Sequence, residues 1–178
     1  MENDPNWPVI ESRTEYETGW YTGGYDLVEQ PDGSTKRYYW ADLPNSVVVV
    51  PVIDEQIVFV NQYRPTIQST QLELPAGIIE PGESATDAAA RELREETGFE
   101  ASGLSRLQAV WVATGVMRHK RTIVFAEGLT PTSPDPDENE FLTVTTKSVD
   151  EALPIVREEP TNGMTVTALL LAQEDGLL

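Results

Sequence analysis

No cysteine occurs among the 178 residues. Disulfides, thiolate metal sites and a cysteine nucleophile are thereby excluded. Histidine occurs once, as His119, and lysine three times, as Lys36, Lys120 and Lys147. Twelve basic residues face thirty acidic ones, a formal net charge of −18. A chain so poor in cations lacks the basic surface that recognition of a nucleic-acid backbone requires. There is no apolar run of the ~18 residues that a membrane helix needs, and no basic segment leading into a short apolar one of the signal-peptide kind. A cytoplasmic protein without a membrane partner is the expectation. Acid-rich composition can signal disorder, but 39% hydrophobic residues and clear strand patterns point to a folded chain. A halophilic surface is the remaining explanation, with self-repulsion tolerated because salt screens it.

The length fits one domain with a sizeable core and a small appendage. Residues 1–15 are polar and punctuated by proline, which reads as a loosely held end. Tyr25–Glu29 and Lys36–Trp40 read as a hairpin around the turn signal Pro31-Asp32-Gly33-Ser34. That hairpin is too small to stand alone. Ser46–Val52, SVVVVPV, is a continuous apolar run and so a buried strand, with Ile57–Val60 pairing back across Asp54-Glu55. Arg64-Pro65 opens a loop that returns at Leu72-Glu73-Leu74. Alternation at Leu107, Ala109, Trp111 and Ala113, then Thr122–Ala126 and Phe141–Thr146, predicts three more strands. Short helices are expected from Ser148 to Val156 and from Met164 to Gln173, and Pro44-Asn45 is the one plausible boundary. Mixed strands with two or three helices on their faces indicate an α/β/α sandwich.

The chain is organised around residues 77–99, GIIEPGESATDAAARELREETGF. Pro81, Gly82 and Ser84 make a turn that hands over to a helix, with Ser84 as N-cap, Asp87 three residues later and Gly98 as the stop. On that helix Glu92, Glu95 and Glu96 fall at i, i+3 and i+4 and share one face. Three helical glutamates are ordinarily a solvated face. Here the face continues into Ala85 and Ala88, which suit close packing, and crowded like charges call for a cation among them. Hard oxygen donors of this kind suit Mg²⁺, with Mn²⁺ as the alternative. Arg91 is expected away from the glutamates.

Gly77, five residues, Glu83, seven residues and then Arg91-Glu92-Leu93-Arg94-Glu95-Glu96-Thr97-Gly98-Phe99 resemble the Nudix hydrolase signature at every fixed position. Gln62-Tyr63-Arg64 and Glu73-Leu74-Pro75-Ala76-Gly77 are similar to the ADP-ribose pyrophosphatase branch. The resemblance implies a Nudix-type α/β/α sandwich with a mixed sheet over residues 45–178, and an N-terminal β-hairpin region, residues 1–44, that dimerises and lends Trp20–Trp40 aromatics to a partner. It implies metal ligation by Glu92, Glu95, Glu96 and the Ala76 carbonyl, with Glu95 and Glu96 catalytic. Gly77, Glu83, Arg91 and Gly98 would be structural, Arg91 pairing with Glu83. Arg64 and Glu73 match positions that line the substrate pocket.

A later glutamate on a loop acts as proton acceptor in related enzymes, and Glu140 matches that position better than Glu138. The segment Ala113–Arg121 departs from the branch, replacing a proline turn with the basic run Arg118-His119-Lys120-Arg121. Arg118 is the residue there expected to touch substrate. The implied activity is metal-dependent hydrolysis of a nucleoside diphosphate linked to another moiety, foremost ADP-ribose to AMP and ribose 5-phosphate. An NDP-sugar or dinucleoside polyphosphate substrate, or an idle nucleotide-binding sensor, stands as the alternative, and intact glutamates speak against the sensor.

Overall fold

The structure is a computed structural model that describes residues 6–133 and 141–178. Its strands and helices fall into two compact units, residues 1–45 with 111–120, and residues 46–110 with 121–178.

The first unit is a four-stranded sheet. Strands β1 (Val9–Glu17), β2 (Thr22–Glu29) and β3 (Thr35–Asp42) form an antiparallel meander, and the short β9 (Met117–Arg118) adds parallel to β3. β1 corrects the expectation of a loose end at residues 1–15. All nine of its residues are exposed, so it carries no apolar alternation for a sequence reading to detect. Backbone pairing holds it instead, from Val9 opposite Val28 to Glu17 opposite Thr22. Ser12 Oγ adds a 2.7 Å bond to Asp26 Oδ1. The glycine pair in β2 makes the approach possible, since a Cβ on Gly24 would stand 2.0 Å from the Arg13 carbonyl oxygen.

The second unit is built on the apolar run. β4 (Ser46–Ile53) and β5 (Gln56–Arg64) form a hairpin at the centre of a seven-stranded mixed sheet. β11 (Leu142–Ser148) pairs antiparallel with β5, and β10 (Lys120–Pro131) pairs parallel with β4, with β8 (Phe99–Trp111) beyond it. β6 (Ser69–Glu73) folds back on β5 and β7 (Ala76–Ile78) on β4. The segment after Arg64 is therefore a tight hairpin rather than an open loop, turning through Gln68 at φ 53°.

Alternate residues of β4 serve two cores. Val47 and Val49 pack with Val58, Val124, Ala88, Ala89 and Leu93, the last three from α1 (Ala85–Thr97). Val48 and Val50 pack with Phe59, Leu74, Ile123, Ala152, Ala168 and Leu169 on the other side, which brings in α2 (Val149–Val156) and α3 (Gly163–Glu174). A strand buried on both faces reads as an unbroken apolar run, as this one does. The result is a mixed α/β fold with α1 on one face of the sheet and α2 and α3 on the other, the expected sandwich. Ser148 does precede α2, yet its hydroxyl donates to Glu151 Oε2 at 2.9 Å and caps no backbone N–H.

Candidate active site

The turn before α1 is locked by its own side chains. Glu83 N–H donates to the Glu80 carbonyl at 3.0 Å, and Glu80 N–H to Glu83 Oε2 at 3.0 Å. Ser84 Oγ accepts from Asp87 N–H at 3.1 Å, which satisfies one of the unpaired donors of the first turn. At the other end Gly98, at φ 70°, donates to the Arg94 carbonyl at 2.9 Å. These two caps set the rotation of the helix. Ala88, Ala89 and Leu93 are buried in the core, and Glu92 and Glu96 are carried into burial beside them, 7% and 3% exposed.

Arg91 departs from its expected place. It pairs with Glu83, Nε to Oε1 at 3.0 Å and Nη2 to Oε2 at 3.1 Å, and Nη2 also reaches the Ile78 carbonyl at 2.8 Å. Nη1 however donates to Glu92 Oε1 at 2.8 Å and to Glu95 Oε2 at 3.0 Å. A long side chain leans back toward the helix N-terminus, and that lets Arg91 lie across the glutamate face from its edge. The hydrogen bonds from Arg91 hold the Glu83 carboxyl below its ordinary range, against the opposing effect of burial. The same bonds, with Glu83 first and Glu92 and Glu95 behind it, raise the Arg91 guanidinium above its ordinary value.

Glu96 Oε2 accepts from Ala76 N–H at 3.1 Å, tying the helix to β7. Next to it Gly77 lies against Glu92, where a Cβ would stand 1.9 Å from Oε1. Only glycine leaves the Glu92 carboxylate its position. Three carboxylates, Glu83, Glu92 and Glu95, thus share the single guanidinium of Arg91, Glu96 lies on the same helix face as Glu92, and Arg94 approaches Glu95 only from the solvent side at 3.7 Å. The cluster keeps an excess of negative charge.

Hard oxygen donors in excess, with a glycine cradle beside them, fit a divalent cation. Among the described residues no three acidic or imidazole groups already form a closed cage, and Arg91 Nη1 stands between Glu92 and Glu95. The residues that would hold the ion are Glu92, Glu95 and Glu96, next to the Ala76 backbone.

The β5–β6 hairpin supplies the second part of the site. Arg64 Nη2 donates to Glu73 Oε2 at 2.5 Å and Nε to Oε1 at 3.1 Å, a bidentate pair in which Glu73 is 6% exposed and Arg64 40%. Leu74 N–H donates to Thr165 Oγ1 of α3, which anchors the strand end that carries Glu73.

The basic run is dispersed rather than massed. Arg118 bonds Asp26 Oδ2 at 2.5 Å and lies 4.1 Å over the Trp40 ring, all within the first unit. Burial would raise the Asp26 carboxyl, but hydrogen bonds from Ser12, Trp40 and Arg118 hold it below its ordinary value. His119 is buried, with Nδ1 2.7 Å from the Pro44 carbonyl, and Lys120 lies 5.2 Å over Trp111. Arg121 belongs to the second unit, where Nε donates to Ser46 Oγ at 2.8 Å. Glu140 and Glu138 lie outside the described residues.

Residues 42–167 match the NUDIX domain model. Over 130 residues the chain is 33% identical to the ADP compounds hydrolase NudE of Escherichia coli strain K12, covering 72% of this chain and 70% of that protein. Over 132 residues it is 34% identical to the ADP-ribose pyrophosphatase of Bacillus subtilis strain 168, covering 72% and 71%. A crystal structure of an ADP compounds hydrolase superposes with a TM-score of 0.86 at 28% identity, over 97% of each chain. The chain belongs to the Nudix family and is a Nudix pyrophosphohydrolase.

Proposed function

We propose that the chain hydrolyses ADP-ribose to AMP and ribose 5-phosphate, using Mg²⁺ or Mn²⁺ held by Glu92, Glu95 and Glu96. The observation that carries this reading is the glutamate face of α1, buried at Glu92 and Glu96, half-buried at Glu95, and cross-linked by Arg91. It has the charge excess that a solvated surface would avoid. When bound, a divalent cation neutralises phosphate charge and makes water more acidic. The chain's own residues supply the rest. The Glu83–Arg91 pair fixes the turn and spaces Glu92 from Glu95, and Gly77 leaves room for the Glu92 carboxylate. Glu96 is held against the Ala76 backbone.

The Arg64–Glu73 pair offers a charged wall on the β5–β6 hairpin. The adenosine diphosphate moiety is supported by the likeness to the ADP compounds hydrolase of Escherichia coli and the ADP-ribose pyrophosphatase of Bacillus subtilis. Glu140 is assigned as proton acceptor from the sequence alone. Exposed aromatic residues on the first unit support a homodimer. Purified protein incubated with ADP-ribose, an NDP-sugar and a dinucleoside polyphosphate, with Mg²⁺ in high salt, tests the reading. AMP released fastest from ADP-ribose is the expected result, and preference for another substrate overturns it.

A further inference from the structure

Arg64 matches the position expected to grip phosphate, but its Nε–Nη2 edge is already taken by both oxygens of Glu73. A guanidinium presents five donors in a rigid fork, and the edge best suited to a planar or tetrahedral anion is the one so used. The structure provides another cation at the same place. Arg121 sits at the start of β10 in register with Ser46 of β4, and Ser46 is in register with Ile78 of β7. Three neighbouring strands thus bring Arg121, Ser46 and the beginning of the signature turn to one end of the sheet.

Arg121 is half-buried, and its Nε is fixed by the 2.8 Å bond to Ser46 Oγ, itself buried. Among the described residues, Nη1 and Nη2 of Arg121 make no hydrogen bond. Burial draws its pKa down, the Glu73 carboxylate draws it up, and the Arg64 guanidinium again lowers it. Arginine stays charged throughout. The Glu73 carboxylate that draws on Arg121 is already held in a bidentate pair by Arg64, in a protein whose net charge is −18.

Among the described residues, Arg121 is a half-buried cation held by one nitrogen, with its two terminal amino groups unspent and a second cation repelling it, an arrangement suited to receiving an anion. Leaving a buried charge without full compensation is costly, so a structural role alone gives no account of Arg121. We propose that Arg121 binds a phosphate group of the diphosphate substrate through Nη1 and Nη2, with Arg64, orientated by Glu73, contributing charge from the other side.

This rests on the reading of the site as a nucleoside diphosphate hydrolase, and two independent measurements separate the claims. The first uses inorganic pyrophosphate without metal, titrated calorimetrically into the full chain in high salt. Arg121→Met should weaken binding by at least about tenfold, as expected for loss of a charge-assisted hydrogen bond. Arg94→Met, on the far side of α1, should leave it unchanged. The second follows the Arg121 Nε–Hε resonance of the parent chain during the same titration, which needs no substitution and so survives a variant that fails to fold. A shift supports the proposal.

In turnover of ADP-ribose, Arg121→Met should raise KM far more than it lowers kcat. A folded Arg121→Met that binds pyrophosphate like the parent, or a resonance that does not move, overturns the proposal. If the parent binds pyrophosphate through Arg121 yet leaves ADP-ribose intact, the anion site stands and the substrate reading falls.

Discussion

Glu96 is the carboxylate with the least freedom, buried and tied to the Ala76 backbone. Glu96→Gln preserves shape and can still accept that hydrogen bond, while it removes one anionic donor. The expected outcome is a loss of kcat of at least about a hundredfold with an unchanged circular dichroism spectrum. Parent-like turnover at saturating Mg²⁺ would sink the metal assignment. Gly77→Ala makes a different cut. The new Cβ meets the mobile end of Glu92 rather than backbone, so the side chain can swing aside. Melting should change little while kcat falls, because the displaced carboxylate is the one being asked to hold the ion. A large drop in melting temperature with kcat retained would show that the cradle is only packing.

At the scale of the element, the turn and α1 act as one device, and Glu83–Arg91 is its clasp. Glu83 has its carboxyl held below the ordinary value of 4.5, chiefly by hydrogen bonds from Arg91. A depressed folded-state pKa contributes stability above the unfolded value, and that contribution is lost as pH falls through the folded value. Glu83→Gln should therefore melt below the parent near pH 7, and the gap should narrow as the pH falls below the ordinary carboxyl value of 4.5. Melting curves for both proteins at one salt concentration check this. A gap that stays constant with pH would mean that the clasp works through shape, not charge. The β5–β6 hairpin is the second device, and its tightness is what delivers Glu73 to Arg64.

For the whole molecule, charge is the dominant fact. Thirty acidic residues against twelve basic ones repel over about 10 Å at 0.1 M salt and about 3 Å at 1 M. We expect the melting temperature to rise by many degrees between about 0.1 M and about 2 M KCl, and equal melting points would remove the halophilic interpretation.

The first unit adds a second expectation at this scale. Strand β1 is an edge strand exposed along its length, and Trp20 and Tyr39 are 76% and 57% exposed. Unpaired edges and clustered exposed aromatics are features that soluble chains cover. Light scattering in high salt should give twice the 19.7 kDa of one chain, and the mass of a single chain would contradict the dimer.

Much of this was legible in one dimension because the relevant physics is local. The caps of α1, the i, i+3, i+4 glutamates and the doubly buried β4 depend on helix period and strand alternation, which any stretch of sequence displays. β1 was not legible, because a strand held by backbone bonds with no buried face leaves no apolar period. Nor was the reach of Arg91 across to Glu92 and Glu95, since helical angle alone does not specify where a long side chain leans.

The basic run at residues 118–121 shows the same limit most clearly. As a string it is one cluster, yet strand pairing sends Arg118 to Asp26 and Trp40, His119 to the Pro44 carbonyl, and Arg121 to Ser46. Composition, the caps of α1 and the shared face of Glu92, Glu95 and Glu96 were determined by the sequence alone, because neighbours along the chain suffice for them. Which cation meets which anion was decided by tertiary structure, because charges from distant strands interact only after the sheet has set their register.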